Sequence, residues 1–154
     1  MLVGTLASLA PASMASASVW SNHPGSICNS TIGRYVNNFA YSFPSSGIMR
    51  VVSGNVGVTC PLVRRTLNSN GANIYVDVSH GGTQTTTCYA YSNRGGGYYL
   101  ASAYGTWTGS GIGSIRLALT GAGKSDWTSD YSVQCVLPYG SYSGVVTGIH
   151  LDEQ

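Results

Sequence analysis

The sequence predicts an all-β domain: an antiparallel two-sheet sandwich or jelly roll of about eight strands with two disulfides. Three observations carry this expectation. Apolar residues recur with period two along most of the chain, between clusters of Gly, Asn and Ser, which is the alternation of half-buried strands and turns. No stretch shows a helical repeat that competes with it. Four Cys stand in strand-like surroundings, as in small exported domains held together by cystines.

Taken in chain order, residues 1–17 are uncharged, start apolar and close on Ala15-Ser16-Ala17, the pattern of a secretory signal peptide. Nothing positive precedes Leu2, so the true start is expected upstream. The apolar stretch is shorter than the ~20 residues of a spanning helix and is broken by Pro11, so no membrane insertion is expected. Residues 18–154 are then one domain. Strands are expected at 35–43, 49–52, 56–60, 73–78, 85–93, 98–107, 113–120, 130–137 and 145–151. In the clearest, Ile74, Val76 and Val78 face one way and Tyr75 and Asp77 the other. Ile115, Leu117 and Leu119 form a second apolar row, and Tyr131, Val133, Cys135 and Leu137 a third. The breaks at 44–47, 68–71, 80–82, 93–97 and 121–124 are turn-like. Asn70-Gly71 and Gly81-Gly82 offer the positive φ of tight hairpins. The Gly-rich segments 95–97 and 109–113 lack the form of a phosphate-binding loop and are expected to be hairpin loops.

Cys28, Cys60, Cys88 and Cys135 allow three connectivities; Cys28–Cys60 and Cys88–Cys135 are favoured. The loop-closure relation gives roughly 4 kcal/mol for each bridge. The second could join facing sheets, as in immunoglobulin-like domains. Zinc is the competing reading, but no pair has Cys-x-x-Cys spacing and no His lies near. Neither a metal nor another cofactor is expected.

The segments Cys28-Asn29, Val58-Thr-Cys60-Pro61-Leu62-Val63-Arg64, Thr86-Thr-Cys88-Tyr-Ala-Tyr91 and Tyr131-Ser-Val-Gln-Cys135-Val-Leu-Pro138 together resemble a group of small secreted bacterial β-proteins. That group, largely uncharacterised, carries a Cys-Pro-Leu-Val-Arg segment and two disulfides. The resemblance implies export and a β fold, and no activity.

Charge narrows the function classes. Only 8% of residues are Asp, Glu, Lys or Arg, against about 25% in an ordinary soluble domain. The net charge of +2 comes from scattered basic residues, so nucleic acid is not an expected partner. With five carboxylates and three His, acid–base chemistry has little to work with. Asp126 and Asp130 beside Trp127 could make a glycosidase pair or help hold Ca²⁺, but Asp and Ser cluster in turns for local reasons and a turn is the preferred reading. His150 and Asp152 share a strand face, yet no Gly-x-Ser-x-Gly elbow accompanies them. His80 is expected in a turn, His150 at the surface, and His23 carries no signal. Tyr is abundant, with 11 residues. If Cys88 and Ala90 point inward, Tyr89 and Tyr91 point outward, and Tyr75 joins an outward row. Tyr98, Leu100 and Ser102 should share one face, and Tyr99, Ala101 and Ala103 the other.

The expected role is a secreted, non-catalytic binding module whose ligand-binding candidates are Tyr75, Tyr89 and Tyr91, with glycans as partners. The alternative is a structural or adhesive subunit whose partners are copies of itself, through edge strands without charged gatekeepers. A hydrolase built on Asp126, Asp130 or His150 is the third and weakest reading.

Overall fold

The computed structural model describes residues 18–30, 39–42, 47–50, 56–66, 70–95, 97–121, 124–138 and 144–154. The expected leader lies outside them, as do parts of the strands expected at 35–43 and 49–52. The described strands are β1 (Val19–Pro24), β2 (Asn29–Ser30), β3 (Phe39–Ser42), β4 (Gly47–Arg50), β5 (Val56–Leu62), β6 (Gly71–Arg94), β7 (Tyr98–Thr120), β8 (Ser129–Leu137) and β9 (Val145–Glu153). A short 3-10 turn, Gly25–Ile27, follows β1. Every pairing is antiparallel, in the order β2-β5-β8-β6-β9-β4-β3, with β1 on β9 and β7 on β6. The chain is all-β, as expected. Where about eight strands in two sheets were expected, the described residues form nine strands hydrogen-bonded into one continuous sheet. No described helix is long and apolar enough to cross a membrane.

The continuity comes from β6 and β7. The expected break at 80–82 and the expected hairpin loop at 109–113 are both interior to these strands. Their ladder runs through that region with a register shift: His80 pairs with Gly111 and Gln84 with Gly109. Residues 81–83 therefore face Ser110 alone, and a strand with surplus residues bends. Gly81-Gly82 form no hairpin; the positive φ at the bend belongs to Gly111, at 82°. Gly71 does adopt φ 118°; among the described residues β5 and β6 are not paired, and positions 68 and 69 of the expected turn lie outside the described residues.

Because the surplus is even, the alternation keeps its phase through the bend. Ile74, Val76 and Val78 before it, and Cys88 and Ala90 after it, are all buried. They join one core with Leu117 and Leu119 of β7, Val133 and Leu137 of β8, and Ile149 and Leu151 of β9. The ribbon doubles back on itself: a Cβ on Gly105 would lie 2.7 Å from Ile115 Cγ2 of the same strand. Only glycine allows that approach.

His80 occupies the inside of the bend, which corrects its expected place in an exposed turn. It is 3% exposed; Nδ1 donates to the Gly109 carbonyl at 3.0 Å and Nε2 lies 2.8 Å from the Thr86 hydroxyl. Its ring packs on Trp107, centroids 4.6 Å apart. Burying a polar ring is tolerated because both nitrogens are bonded.

Cys28 is joined to Cys60 and Cys88 to Cys135, the favoured connectivity. Cys88 and Cys135 are direct register partners on β6 and β8, with Cα atoms 4.1 Å apart. The bridge therefore links neighbouring strands and does not span facing sheets, a correction to the immunoglobulin-like expectation. Opposite residues on adjacent antiparallel strands already stand close enough for it.

Arg64, which ends the Cys-Pro-Leu-Val-Arg segment, is structural. Its Nε lies 3.2 Å from Glu153 Oε1, with side chains 7% and 0% exposed. The guanidinium also donates to the Ser129 carbonyl at 2.8 Å and to the Asp126 carbonyl, and sits over the Tyr131 ring. Glu153 Oε2 accepts from the backbone amides of Arg65 and Thr66 at 2.6 and 3.1 Å. One buried pair thus ties the end of β9 to two loops. Removing either partner of such a pair leaves a buried charge uncompensated.

The bend makes a direct prediction. A Cβ on Gly113 would meet Trp107 Cε2 at 2.0 Å, whereas one on Gly82 would meet nothing within 4 Å. Gly113→Ala should lose about 1–3 kcal/mol, the usual cost of overpacking, and Gly82→Ala should be near neutral. Urea melts of both variants check this; equal midpoints would refute the packing of Trp107 into the bend.

Candidate functional site

Beyond the bend, the odd-numbered residues of β6 face outward, and register arranges them in rows across the strands. One row is Tyr104–Tyr89–Gln134–Thr59 and the next is Ser102–Tyr91–Ser132–Pro61. Tyr89 and Tyr104 have ring centroids 6.2 Å apart. Tyr91 meets Tyr99 edge to face at 6.4 Å, and the Tyr99 hydroxyl donates to Ser102. Tyr104, Tyr99 and Tyr89 are 74%, 59% and 38% exposed. Four tyrosines on two adjacent strands thus make one outward aromatic face edged by Gln and Ser. At the β6–β7 turn the exposed Tyr98 pairs with Arg94, whose side chain bonds Asp126, next to the exposed Trp127.

The alternation expected for β7 fails at one point. Ser92 pairs with Ala101 but Asn93 with Tyr99, so Leu100 is surplus and Tyr99 turns outward, away from the side of Ala101. A one-residue slip moves a side chain to the other face, and nothing in the local composition announces it. Tyr99 was accordingly absent from the candidates read from sequence; Tyr104, which keeps the alternation of Ser102, was passed over although the pattern offered it.

Tyr75 does not join Tyr89 and Tyr91. It lies before the bend, in other register rows. Three rows define its face: Trp20–Asp152–Asn73–Ala118, Asn22–His150–Tyr75–Arg116, and Pro24–Gly148–Asp77–Ser114. Trp20 and Tyr75, on the strands flanking β9, stack over it with centroids 5.8 Å apart and 16° between planes. His150, expected at the surface, has a side chain 36% exposed and is held there by Asp77 Oδ2 at 2.6 Å and Asn22 Oδ1 at 2.7 Å. Arg116 donates twice to Asn73 Oδ1, at 2.8 and 3.1 Å.

The hydrolase candidates are scattered. Asp126 sits in a turn, accepting from the Thr128 amide and hydroxyl and from Arg94. The Thr128 hydroxyl, and behind it Arg94, hold its carboxyl below the usual carboxylate range despite some desolvation. Among the described residues nothing joins it to Asp130 or His150. A Ser–His contact that sequence reading passed over is Ser21 Oγ to His23 Nε2, 3.2 Å, with no carboxylate behind it. All five carboxylates lie among the described residues, and no three or more His, Cys, Asp or Glu there form a group that could hold a metal.

No protein-family model matches the chain, and no curated protein matches it in sequence. Solved structures match it in fold. One is the CBM36-1 domain of a multidomain xylanase from the hindgut metagenome of Trinervitermes trinervoides, with TM-score 0.51 at 11% identity over 86% of this chain and 96% of that one. Another is a carbohydrate-binding module CBM36 in complex with calcium and xylotriose, with TM-score 0.50 at 17% identity over 85% and 98%. At these identities the likeness is one of fold: the chain shares the β architecture of carbohydrate-binding modules.

His23 carries the pH prediction. Partial burial, and then the Arg65 charge, push its imidazole below the ordinary 6.5. A folded pKa below the unfolded one adds stability fully present above the unfolded value and lost as pH falls through the folded value. Acidification from about pH 7.5 to 5 should therefore lower the melting temperature of the native chain more than that of His23→Gln. Parallel slopes in the two melts would contradict this.

Proposed function

We propose that the chain is an exported, non-catalytic glycan-binding module that takes its ligand on the face of Tyr89, Tyr91, Tyr99 and Tyr104. The observation that carries the reading is the convergence of these rings on one outward surface, with Gln134, Ser132 and Ser102 beside them to bond sugar hydroxyls. Tyrosine offers an apolar ring for stacking and a polar tip. The fold shared with carbohydrate-binding modules, the two disulfides and the leader expected at 1–17 support the same reading. In it, the doubled-back ribbon is a two-layer sandwich with its core between the layers. One matching structure holds calcium with xylotriose; Ca²⁺ takes six to eight oxygen ligands, about that many in most sites. The dispersed carboxylates here do not fit such a centre, so binding is assigned to stacking and hydroxyl contacts alone.

Titration calorimetry against xylan, mannan and cello-oligosaccharides tests this. The Tyr89→Ala/Tyr104→Ala double variant should bind at least about tenfold more weakly than the native chain, close to 1.4 kcal/mol, with unchanged circular dichroism. Undiminished binding, or none by the native chain to any of these glycans, would refute the assignment.

A second reading, self-association, has its own observation. Among the described residues β7 pairs with β6 alone, and its 23 residues include one charge, Arg116. Such an edge can accept another strand. On this reading light scattering should show a dimer at high concentration that Thr106→Pro abolishes; a native chain that stays monomeric excludes it.

A further inference from the structure

The row through Tyr89 runs further than the tyrosines. Register carries it across five adjacent strands as Tyr104–Tyr89–Gln134–Thr59–Asn29, from β7 over β6, β8 and β5 to β2. Opposed residues of paired strands share a face, and here Tyr104, Tyr89, Gln134 and Asn29 are exposed and Thr59 is half-buried. The rows on either side differ. Thr106–Thr87–Val136–Gly57 has no ring, and Ser102–Tyr91–Ser132–Pro61 ends on a side chain that cannot hydrogen-bond. Of these three rows, only that of Tyr104 puts rings at one end and a hydrogen-bonding side chain on every later strand. The row is also braced from beneath. Cys88, Cys135, Cys60 and Cys28 each adjoin one of its residues in sequence and are buried. One bridge ties β6 to β8 and the other ties the start of β2 to β5, while seven register pairs join β5 to β8. A site whose parts are held before the ligand arrives loses less on binding.

A sugar presents an apolar ring face to stack and hydroxyls that both donate and accept. Tyrosine meets the first, and the side chains of Gln, Thr and Asn each donate and accept. None of the three rows contains Asp, Glu, Lys, Arg or His, so a charged sugar finds no counter-charge along them. Four strand spacings make roughly 19 Å, more than a disaccharide covers. We propose that this row is a track for a linear, uncharged polysaccharide lying across the strands, stacked on Tyr104 and Tyr89 and hydrogen-bonded by Gln134, Thr59 and Asn29. The inference rests on the tyrosine-face reading and adds the ligand class, an extended neutral chain in place of a single sugar or a disaccharide. A ligand lying along β6 would instead meet Thr87, Tyr91 and Asn93, and would leave Thr59 and Asn29 untouched.

The test is calorimetry on the full chain with dimers and hexamers of the cello-, manno- and xylo-oligosaccharide series. The best hexamer should bind about tenfold or more tightly than its own dimer. Asn29→Ala/Gln134→Ala, which changes two exposed side chains, should weaken the hexamer about tenfold and leave the dimer unchanged. If that variant loses its native circular dichroism, backbone-amide NMR shifts of the native chain decide instead: the hexamer should move Thr59 and Asn29, and the dimer neither. A galacturonic acid hexamer should bind at least about tenfold more weakly than the neutral one. Equal affinity for dimer and hexamer, a folded double variant that binds the hexamer like the native chain, shifts confined to Thr87, Tyr91 and Asn93, or equal binding of the galacturonate would each overturn the track while leaving the tyrosine face a glycan site. No binding of any oligomer by the native chain would overturn both readings.

Discussion

The bend in the β6–β7 ribbon is the constraint on which the rest of the structure depends. A straight strand of 24 residues would run about 80 Å at 3.3 Å per residue, with one apolar side left facing water. Doubling the ribbon over lets each half cover the other's apolar side, and β8, β9 and β5 add to the same core. The fold therefore needs a hinge that is tight and glycine-rich. Surplus residues 81–83 supply the curvature. Gly105 and Gly113 let the two arms and the Trp107 ring approach closely, and His80 closes the inside by bonding Gly109 and Thr86. A smaller side chain at 80 or 107 would leave a void at the point where the arms meet, and a larger one at 105 or 113 would hold them apart.

Scarcity of charge makes the few ionisable groups informative. Glu153 is spent on Arg64 and two backbone amides, where it anchors the chain's last strand. Asp77 is engaged with His150, and Asp126 with Arg94 and Thr128. Each is accounted for by local architecture. Asp152 differs, being buried as deeply as a structural carboxylate while one of its oxygens goes unbonded. In a chain rich in carboxylates that would be one irregularity among many. Here it stands out against four carboxylates that are either bonded or exposed.

Much of the fold was legible in sequence, because period-two alternation survives any tertiary arrangement: the rows of Ile74, Val78, Leu117 and Val133 are in the core as read. What was not legible is whatever depends on register. Gly81-Gly82 and the glycines at 109–113 look the same locally whether a chain reverses or bends and continues; only the ladder, resuming on both sides, separates the two. The same limit governs the candidate site. Tyr89 and Tyr91 are outward as the inward Cys88 and Ala90 require, but Tyr99 joins them through a bulge at Leu100, and Tyr75 is removed from them by the bend. Arg64 stood in a motif whose role stayed hidden because its partner, Glu153, is 89 residues away.

The bend also decides how the two aromatic faces can act. In the two-layer reading proposed above, outward residues of the two arms point in opposite directions, so one flat ligand could not touch both faces at once, and the avidity gained when two linked sites engage one surface would not be available within a single chain. Occupation of both faces would instead bridge two ligands, with the disulfide-braced core as the spacer. The faces differ in chemistry as well as direction. The tyrosine face has neutral Gln and Ser beside its rings, whereas the Trp20–Tyr75 face is laid over carboxylates, a histidine and an arginine. The difference follows from the sheet's pleat, which carries Cys88 and Ile74 inward and, by the same alternation, sends Tyr89 and Tyr75 outward on the two arms of the ribbon.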